Sequence, residues 1–321
     1  MKSILNKALI IKLIGGLYTF KDLHTKEIYE GYAKGKFRMV RVEKDSSFNK
    51  NITKKTKKDV KNIILSPKVG DYISYTFESN QYMITEVLER KNELSRPDIS
   101  NIDQVLLVFS AIRPDFSFNL LDKFLVILES NHLKPVLIVS KIDLIDEATL
   151  LELKKNLSYY ASYMDIHFVN SKARIGLDTL EHIFKDQITV LAGQTGVGKS
   201  TLMNALIPEL SLKTQEISDA LGRGKHTTRH SELYAFGGGY IADTPGFSKI
   251  EFSFYDEKSL KDYFVDFKEI SHECRFGSKC LHMSEPDCMV KSYVTNGSIL
   301  RSRYESYVSF MNELKTKKEK Y

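Results

Sequence analysis

The sequence predicts a multidomain protein with an N-terminal β-barrel of the OB-fold type, a central doubly wound α/β domain and a C-terminal helical module. Three observations support this prediction. Short β-rich runs fill the first 95 residues, apolar strands then alternate with amphipathic helical segments, and all three cysteines lie close together in the last third. A chain of 321 residues is long enough for several separate cores. We therefore expect domains at residues 1–95, 96–255 and 256–321.

The first predicted domain contains the runs ALIIKLIGG, GKFRMVRV, GDYISYTF and QYMITEVLE, which alternate with Gly, Asn and Asp turns. This spacing is typical of a small antiparallel barrel, for which the OB-fold is the natural candidate. The lysine-rich run KNITKKTKKDVK falls between two of these strands and is expected to form an exposed loop. Arg96 and Pro97 mark the domain boundary, because the residue before a proline disfavours helix.

Composition favours a cytoplasmic protein, and the placement of charge is compatible with a polyanionic partner. The chain is 42% hydrophobic and 27% charged, and no apolar run approaches the ~18 residues of a membrane span. Lys12 interrupts the apolar N-terminal stretch, which argues against a signal peptide. The net charge is +6, and lysines crowd residues 50–61 and 315–320. Such clusters suit RNA, although charge alone fits a solvated loop and a frayed tail equally well.

The central domain contains GQTGVGKS at residues 193–200, which satisfies the pattern G-x-x-x-x-G-K-[ST]. It follows the apolar strand QITVLA and precedes the helical segment STLMNALI, the context that a phosphate-binding loop requires. In such a loop the backbone N–H groups converge on phosphate oxygens, the lysine reaches the β- and γ-phosphates, and the hydroxyl binds Mg²⁺. The residues expected to bind the nucleotide here are Gly193, Gln194, Thr195, Gly196, Val197, Gly198, Lys199, Ser200 and Thr201.

Downstream, the apolar strand in YIADTPGFS ends in the motif DTPG. Asp243 is expected to hold Mg²⁺ through water, together with Ser200, and the Gly246 N–H to lie near the γ-phosphate. The segment LGRGKHTTRH precedes this strand, and its glycines and charges indicate a mobile switch. Either Thr227 or Thr228, of which we choose Thr228, would complete the Mg²⁺ shell. A plain surface loop is the alternative interpretation of this segment.

Two elements that suit recognition of guanine follow strands earlier in the chain. The first comprises Ser140, Lys141, Ile142 and Asp143, which resemble the N/T-K-x-D guanine specifier. Its aspartate can accept the N1–H and N2–H₂ groups of guanine, which adenine does not offer, and the lysine stem can lie over the base. The second comprises Asn170, Ser171 and Lys172, whose backbone N–H groups are placed to contact guanine O6.

Both guanine elements precede the phosphate loop, whereas in most GTPases the phosphate loop comes first. The order found here is the usual GTPase order cut at a different point, which is a circular permutation. Permutation is tolerated because the termini of a domain lie at its surface and often near each other. The sequence therefore predicts a circularly permuted P-loop GTPase. A kinase or an ATPase would not need the SKID element, because it binds adenine and not guanine.

The cysteines form the pattern C-x₅-C-x-H-x₅-C in CRFGSKCLHMSEPDC. Three thiolates and one imidazole match a closed tetrahedral zinc site, and disulfides are uncommon in the cytoplasm. The expected ligands of one Zn²⁺ are Cys274, Cys280, His282 and Cys288. His272 is a weaker alternative ligand, and free cysteines with an incidental histidine are the alternative to a metal site.

The chain resembles the circularly permuted, small-ribosomal-subunit-dependent GTPases of the RsgA/YjeQ family over nearly its whole length. The segments that carry the resemblance are RKNELSRPDISNIDQVLLVFS, PDFSFNLLDKFLV, SKIDL, GQTGVGKSTLMNAL, GRGKHTTRH and DTPGF. The resemblance implies an OB-fold, a permuted GTPase and a zinc module that act in late maturation of the small ribosomal subunit, with its rRNA as partner. We expect a monomer that binds GTP or GDP, Mg²⁺ and one Zn²⁺, and neither DNA nor a membrane.

The chain departs from the family pattern at three places. Ser140 stands where the family more often has Asn or Thr, and Asn170 and Ser171 replace Ser-Ala. The spacing from Cys274 to Cys280 is one residue longer than usual.

Hydrolysis by the protein alone is expected to be slow. Many GTPases orient the attacking water with a Gln after D-x-x-G, and this chain has Phe247 there, which cannot do so. His226 in the predicted switch is our candidate catalytic residue, because an imidazole can hydrogen-bond to water, and the resemblance supports this role. Its alternative is an ordinary exposed loop residue. Two functions therefore remain: an RNA-directed GTPase, or a zinc-containing RNA-binding regulator that uses GTP as a conformational cofactor with negligible turnover.

Overall fold

The computed structural model of the protein describes residues 6–35, 39–41, 62–64, 66–95, 98–210, 232–243 and 256–318. The strands are β1 (Asn6–Ile14), β2 (Leu17–Asp22), β3 (Ile28–Ala33), β4 (Met39–Arg41), β5 (Asn62–Ile64), β6 (Tyr72–Glu78), β7 (Gln81–Val87), β8 (Glu93–Ser95), β9 (Asp98–Ser100), β10 (Gln104–Ser110), β11 (Lys134–Ser140), β12 (Asp165–Phe168), β13 (Ile188–Ala192), β14 (Glu232–Phe236) and β15 (Gly239–Asp243). The α-helices are α1 (Phe118–Ser130), α2 (Glu147–Leu157), α3 (Lys199–Leu206), α4 (Val265–Ile270), α5 (Met289–Thr295) and α6 (Arg301–Lys318). The chain divides into two compact units, Met1–Asp103 with His182–Val190 and Lys213–Gly246, and Gln104–Glu181 with Leu191–Leu212 and Phe247–Tyr321.

The first unit contains a closed five-stranded barrel, as the sequence predicts. Strands β1–β2, β2–β3, β6–β7 and β1–β6 pair in antiparallel fashion, and the parallel pair β3–β7 completes the ring. Gly31 lies where β3 and β7 approach most closely, since a Cβ there would be 2.3 Å from the Tyr82 carbonyl oxygen. The barrel core is built from the buried residues Ala8, Ile10, Phe20, Ile73, Tyr75 and Ile84.

The barrel differs from the sequence-based expectation in which strands compose it. The predicted run GKFRMVRV contributes β4, which pairs with β5 in a separate antiparallel hairpin. Strands β2 and β3, which are not among the predicted runs, complete the five-stranded barrel between β1 and β7. Strand β3 escapes a pattern-based prediction because Ile28 and Tyr32 point outward, at 59% and 47% exposure. The lysine-rich run between β4 and β5 lies outside the described residues.

Outside the barrel and the β4–β5 pair, strands β8 and β9 of the first unit pair in antiparallel fashion, and β13, β14 and β15 form a hairpin and a parallel pair. Strands β14 and β15 are antiparallel, and the start of β13 runs parallel to β15, with Ile188 opposite Tyr240. Strand β1 meets β14 at one position, where Lys12 pairs with Glu232 and the Lys12 Nζ donates to a carboxylate oxygen at 3.0 Å.

The second unit contains three parallel strands in the order β10, β11, β12, which confirms the predicted α/β architecture. Strand β10 is buried throughout, as expected for a parallel sheet covered on both faces. Helix α1 is capped by the Ser117 hydroxyl, which accepts the Leu120 N–H, and α2 by Asp146, which accepts the Thr149 N–H. Helix α2 ends at Leu157, and a separate 3₁₀ turn follows at Tyr160–Ser162.

The C-terminal part of the second unit is helical, as predicted, with its cysteine cluster between α4 and α5. Its buried core joins these helices to α6 and to Val126 of α1, and it includes the three cysteines, Phe264, Phe267 and Tyr307. No helix among the described residues is both long and apolar enough to cross a membrane.

Candidate nucleotide site and metal centre

The phosphate loop lies between the end of β13 and the start of α3. Gly193 has a φ of +140°, and a Cβ there would lie 2.2 Å from the Val108 carbonyl oxygen of β10. Only glycine fits this contact, so the loop packs directly against the carboxyl end of a buried strand. Gly196 and Gly198 also have positive φ values, and Gly198 precedes the first residue of α3. The glycines of the motif therefore allow the backbone conformation that the sequence predicts for a phosphate-binding loop.

Lys199 folds back across the phosphate loop. Its Nζ donates to the carbonyl oxygens of Gly193 and Gln194, at 2.7 and 2.6 Å. Partial burial lowers the pKa of Lys199, because the charged form loses water. Anionic phosphate oxygens would stabilise the charged form more strongly than these two neutral carbonyls do. Ser200 and Thr201 follow in the exposed first turn of α3.

The first guanine element meets the phosphate loop directly. Ser140 ends β11 and is 3% exposed, and its hydroxyl donates to the Val197 carbonyl oxygen at 2.5 Å. Lys141, with a left-handed φ of +59°, donates from Nζ to the Gly196 carbonyl oxygen at 2.7 Å and also to the Arg113 carbonyl oxygen. Asp143 lies in an exposed turn one residue after Ile142. The SKID element thus holds the loop with its first two side chains and leaves the aspartate open to solvent.

The second guanine element follows β12, the neighbour of β11. Asn170 is buried, and its Oδ1 accepts the backbone N–H groups of Lys172 and Ala173, both at 3.1 Å. Its backbone also exchanges two hydrogen bonds with Ile175. The Asn170 side chain therefore closes its own turn and is not available to a base. The N–H groups of Asn170 and Lys172 are also bonded within this turn, which leaves the Ser171 N–H as the candidate for guanine O6. The assignment of this element to the base stays a prediction.

Several predicted site residues lie outside the described residues or at their edge. Asp243 ends β15 in the first unit, where its backbone alone is described. The others belong to residues 211–231 and 244–255, which the structure does not describe: His226, Thr227, Thr228, Gly246 and Phe247. Their assigned roles remain predictions.

The four predicted zinc ligands come together in the second unit. All ligand atoms of Cys274, Cys280, His282 and Cys288 lie within 4.8 Å of one another, and all four residues are buried. The His282 Nδ1 lies 3.4 Å from the Cys288 Sγ and 3.7 Å from the Cys274 Sγ. A tetrahedral Zn²⁺ site places its ligand atoms roughly 3.5–3.8 Å apart. The donor set and its spacing therefore fit Zn²⁺.

The longer spacing between the first two cysteines is accommodated by a local turn. Residues Gly277–Lys279 form a 3₁₀ turn in which Gly277 has a φ of +48°, and the buried Lys261 ammonium donates to the Ser278 carbonyl oxygen. The Met289 N–H donates to the Cys274 Sγ at 3.3 Å. His272, the weaker candidate, has a side chain 75% exposed and lies outside the cluster.

The electrostatics of the cluster suit a neutral imidazole and a bound divalent cation. Burial, followed by the nearby Lys261 ammonium, lowers the pKa of His282 to about 4, so the ring is a neutral ligand. Burial raises the pKa of the Cys280 thiol to about 12, with Cys288 adding to the effect. A divalent cation supplies the positive charge that holds such thiols as thiolates.

One buried network near the zinc cluster has no counterpart in the sequence analysis. Arg303 of α6 donates to Asp266 of α4 through Nε and Nη2 at 2.7 and 3.0 Å, and to Asp122 of α1 through Nη1 at 2.6 Å. Tyr159 and Tyr160 donate to the same two carboxylates. The sequence signal that could have revealed it is Asp122, a carboxylate on the buried face of the apolar helix FNLLDKFLVILES.

Comparison with known proteins gives a consistent result. The sequence profile of the RsgA GTPase family matches residues 87–253. The small ribosomal subunit biogenesis GTPase RsgA of Onion yellows phytoplasma (strain OY-M) is 49% identical over 311 residues, which cover 97% of this chain and 98% of that protein. The protein of the same name from Bacillus subtilis (strain 168) is 46% identical over 265 residues, 80% of this chain and 87% of its own length.

Two solved structures resemble the whole chain. The crystal structure of YloQ, described as a circularly permuted GTPase, matches with a TM-score of 0.78 and 36% identity, covering 98% of this chain and 96% of that one. YjeQ from Thermotoga maritima matches with a TM-score of 0.78 and 32% identity, covering 97% of this chain and 99% of its own.

The SKID element precedes the phosphate loop in the chain yet bonds to it, and a circularly permuted GTPase matches nearly the whole chain, so the chain is a circularly permuted P-loop GTPase. Its reaction is the hydrolysis of GTP, with guanine nucleotide and Mg²⁺ as the bound species. The chain belongs to the RsgA GTPase family.

Proposed function

We propose that this GTPase acts in biogenesis of the small ribosomal subunit and hydrolyses GTP to GDP and phosphate when it is docked on small-subunit rRNA. The observation that carries the GTPase assignment is the contact of Ser140 and Lys141 with the phosphate loop. The printed names of the relatives support the small subunit as the partner. The proposed site of action is the cytoplasm, and the proposed active form is a monomer.

The proposed roles of the described residues follow their geometry, and those of Thr228, Gly246 and the Asp243 side chain follow the sequence motifs. The exposed Asp143 carboxylate accepts guanine N1–H and N2–H₂. Within residues 170–172, the backbone N–H of Ser171 donates to guanine O6, since those of Asn170 and Lys172 are bonded in the turn. Lys199 leaves its two carbonyl partners for the β- and γ-phosphates, a short displacement because these carbonyls belong to the phosphate loop itself. Ser200, Thr228 and Asp243 complete the Mg²⁺ shell, and Gly246 donates its N–H to the γ-phosphate.

His226 is the proposed group that positions the attacking water when the protein is docked. Phosphoryl transfer requires positioning and charge neutralisation more than covalent chemistry, so an ordered imidazole in hydrogen-bond reach of the water is sufficient. A His226→Ala variant is expected to keep its GTP affinity and lose stimulated turnover. A variant whose stimulated turnover equals that of the wild type would exclude this role.

We further propose one structural Zn²⁺ in the C-terminal module and an RNA-docking role for the barrel and the lysine-rich segments. The buried Cys₃His cluster, with ligand atoms within 4.8 Å, supports the metal. The proposed domains remain residues 1–95, 96–255 and 256–321. Metal analysis of protein purified without added zinc tests the ion, and content below about half an equivalent would count against a structural site.

The function is tested by measuring GTP turnover of the purified protein alone and with mature small ribosomal subunits. ATP and large subunits serve as the controls for the base and for the partner. A slow basal rate that rises at least about tenfold with small subunits alone is the expected result. Tight GTP binding without stimulation would instead favour the RNA-binding regulator that uses GTP as a conformational cofactor.

A further inference from the structure

The His282 imidazole is held at both of its ring nitrogens. The Nδ1 atom faces the cysteine sulfurs, 3.4 Å from Cys288 and 3.7 Å from Cys274. The Nε2 atom lies 3.0 Å from the Ser271 Oγ, on the opposite side of the ring. The ring is fully buried, so water does not replace either contact.

The single hydroxyl proton of Ser271 determines which atom donates in the contact between Ser271 Oγ and His282 Nε2. A serine hydroxyl has one proton to donate. The Ser271 Oγ lies 2.5 Å from the Phe267 carbonyl oxygen, which can only accept, so the hydroxyl proton is committed to that bond. The lone pairs of Ser271 then face His282, and Nε2 must carry the proton that forms the 3.0 Å hydrogen bond. This leaves the lone pair of the neutral ring on Nδ1, directed at the sulfurs.

The backbone of His282 is fixed independently of its ring. It adopts a left-handed φ of +57°, and its carbonyl oxygen accepts the Tyr304 hydroxyl of α6 at 2.8 Å. The neighbouring Leu281 carbonyl oxygen accepts the Tyr307 hydroxyl at 2.6 Å. The turn is therefore held by α6, while the choice of ring tautomer and the orientation of the ring depend on Ser271.

We propose that Ser271 is a positioning residue of the metal centre, which locks His282 in the tautomer that presents Nδ1 as a zinc ligand. This inference rests on the proposed zinc site. Hydrogen bonds to the distal nitrogen of a ligating histidine fix the ring and raise its basicity, and their loss typically costs about 10–100-fold in metal affinity.

The test is a zinc competition titration of the full chain against a chromophoric chelator. The Ser271→Ala variant is expected to bind zinc about 10–100-fold more weakly than the wild type. The Ser271→Thr variant keeps a hydroxyl and is expected to bind within a fewfold of the wild type. Ser278→Ala, which alters an exposed side chain in the same module, is the matched control and is expected to bind like the wild type.

A second readout reports the tautomer in the wild type, and it does not require the alanine variant to fold. In protein labelled with ¹⁵N-histidine, the His282 resonances are identified by their loss in the His282→Cys variant, which retains four metal ligands. The expected spectrum shows a protonated Nε2 and an unprotonated Nδ1. A protonated Nδ1, or equal zinc affinity of Ser271→Ala and the wild type, would overturn the role of Ser271 with the zinc site intact. A wild type without zinc would overturn both proposals.

Discussion

Replacing Arg303 with methionine should destabilise the second unit strongly. The Arg303 side chain is 2% exposed, and the two carboxylates it contacts, Asp122 and Asp266, are 0% and 5% exposed. Methionine preserves most of the apolar stem, but it removes the guanidinium, whose Cζ lies 4.8 Å from the centroid of the Phe264 ring, and leaves both carboxylates without their cation. Removing one partner of a buried ion pair costs about 3–5 kcal/mol, because the remaining charge is desolvated and unpaired. We expect a loss of that size in the free energy of unfolding.

The pH dependence of this loss has a definite sign. Burial acts to lower the pKa of Arg303, but Asp266 and then Asp122 outweigh burial and raise it, so the guanidinium stays charged. Burial already raises the pKa of Asp122. In the variant, Asp122 has lost the cation that opposes burial, so its folded-state pKa lies above the unfolded value of about 4. The penalty is therefore absent below that pH and grows as the pH rises above it, so the loss should be larger at neutral than at mildly acidic pH.

Urea unfolding followed by far-UV circular dichroism measures the effect, since the chain has no tryptophan. Arg301→Met is the matched control on the same helix, because the Arg301 side chain is 86% exposed and pairs with Glu305 at 3.1 Å. That exposed pair contributes about 0.3–0.5 kcal/mol at most. In the double variant Arg303→Met/Asp266→Asn, part of the lost stability should return. A loss below about 1 kcal/mol for Arg303→Met, or one no larger than the control's, would refute the reasoning.

Three further outcomes are expected. Asp143→Asn should weaken GTP binding and favour xanthosine triphosphate, because an amide can donate to the xanthine O2 where guanine has an amino group. Nucleotide competition measures this preference, and an unchanged preference for GTP would contradict the role of Asp143. Ser140→Ala should lower GTP affinity by about 1 kcal/mol, the worth of one hydrogen bond to Val197, with Ser130→Ala of α1 as the control in an equilibrium binding assay. Burial acts to raise the pKa of Asp22, but its hydrogen bonds, led by the one from Tyr75, outweigh burial and lower the pKa. Asp22 should therefore stabilise the barrel above pH ~4 and lose this contribution as the pH falls further. Acid unfolding should be less pH-dependent in the Asp22→Asn variant.

The sequence predicted those parts of the site in which a short motif and its chemistry are inseparable. The glycines of the phosphate loop are required by the backbone itself, as the contact of Gly193 with Val108 shows. The cysteine cluster is likewise local, and its four ligand atoms converge as expected. The α/β strands were predictable because buried parallel strands such as β10 and β11 are continuous apolar runs.

The sequence did not predict the hydrogen bonds between residues that are remote along the chain. The bond from Ser140 to Val197 spans 57 residues, and that from Arg303 to Asp122 spans 181. Asp122 stands out as a carboxylate on the buried face of an apolar helix, but no local pattern identifies the partner of either residue. Ser271 was also missed, because a serine 11 residues from the histidine it contacts carries no spacing signal. Strands with outward-facing apolar residues, such as β3, were missed for the related reason that their pattern does not indicate burial.

Remote contacts connect the phosphate loop to the parallel strands of the second unit, and the C-terminal helices to α1. In this chain the guanine element and the phosphate loop are separated by about 50 residues, and hydrogen bonds from Ser140 and Lys141 join them in the second unit. Gly193 of the loop also packs against the Val108 carbonyl oxygen of β10, the strand that precedes α1. Helix α1 in turn carries Asp122, to which Arg303 fastens the helix that holds the zinc-binding turn. Strand β10 and helix α1 thus contact the phosphate loop through Val108 and the C-terminal helices through Asp122.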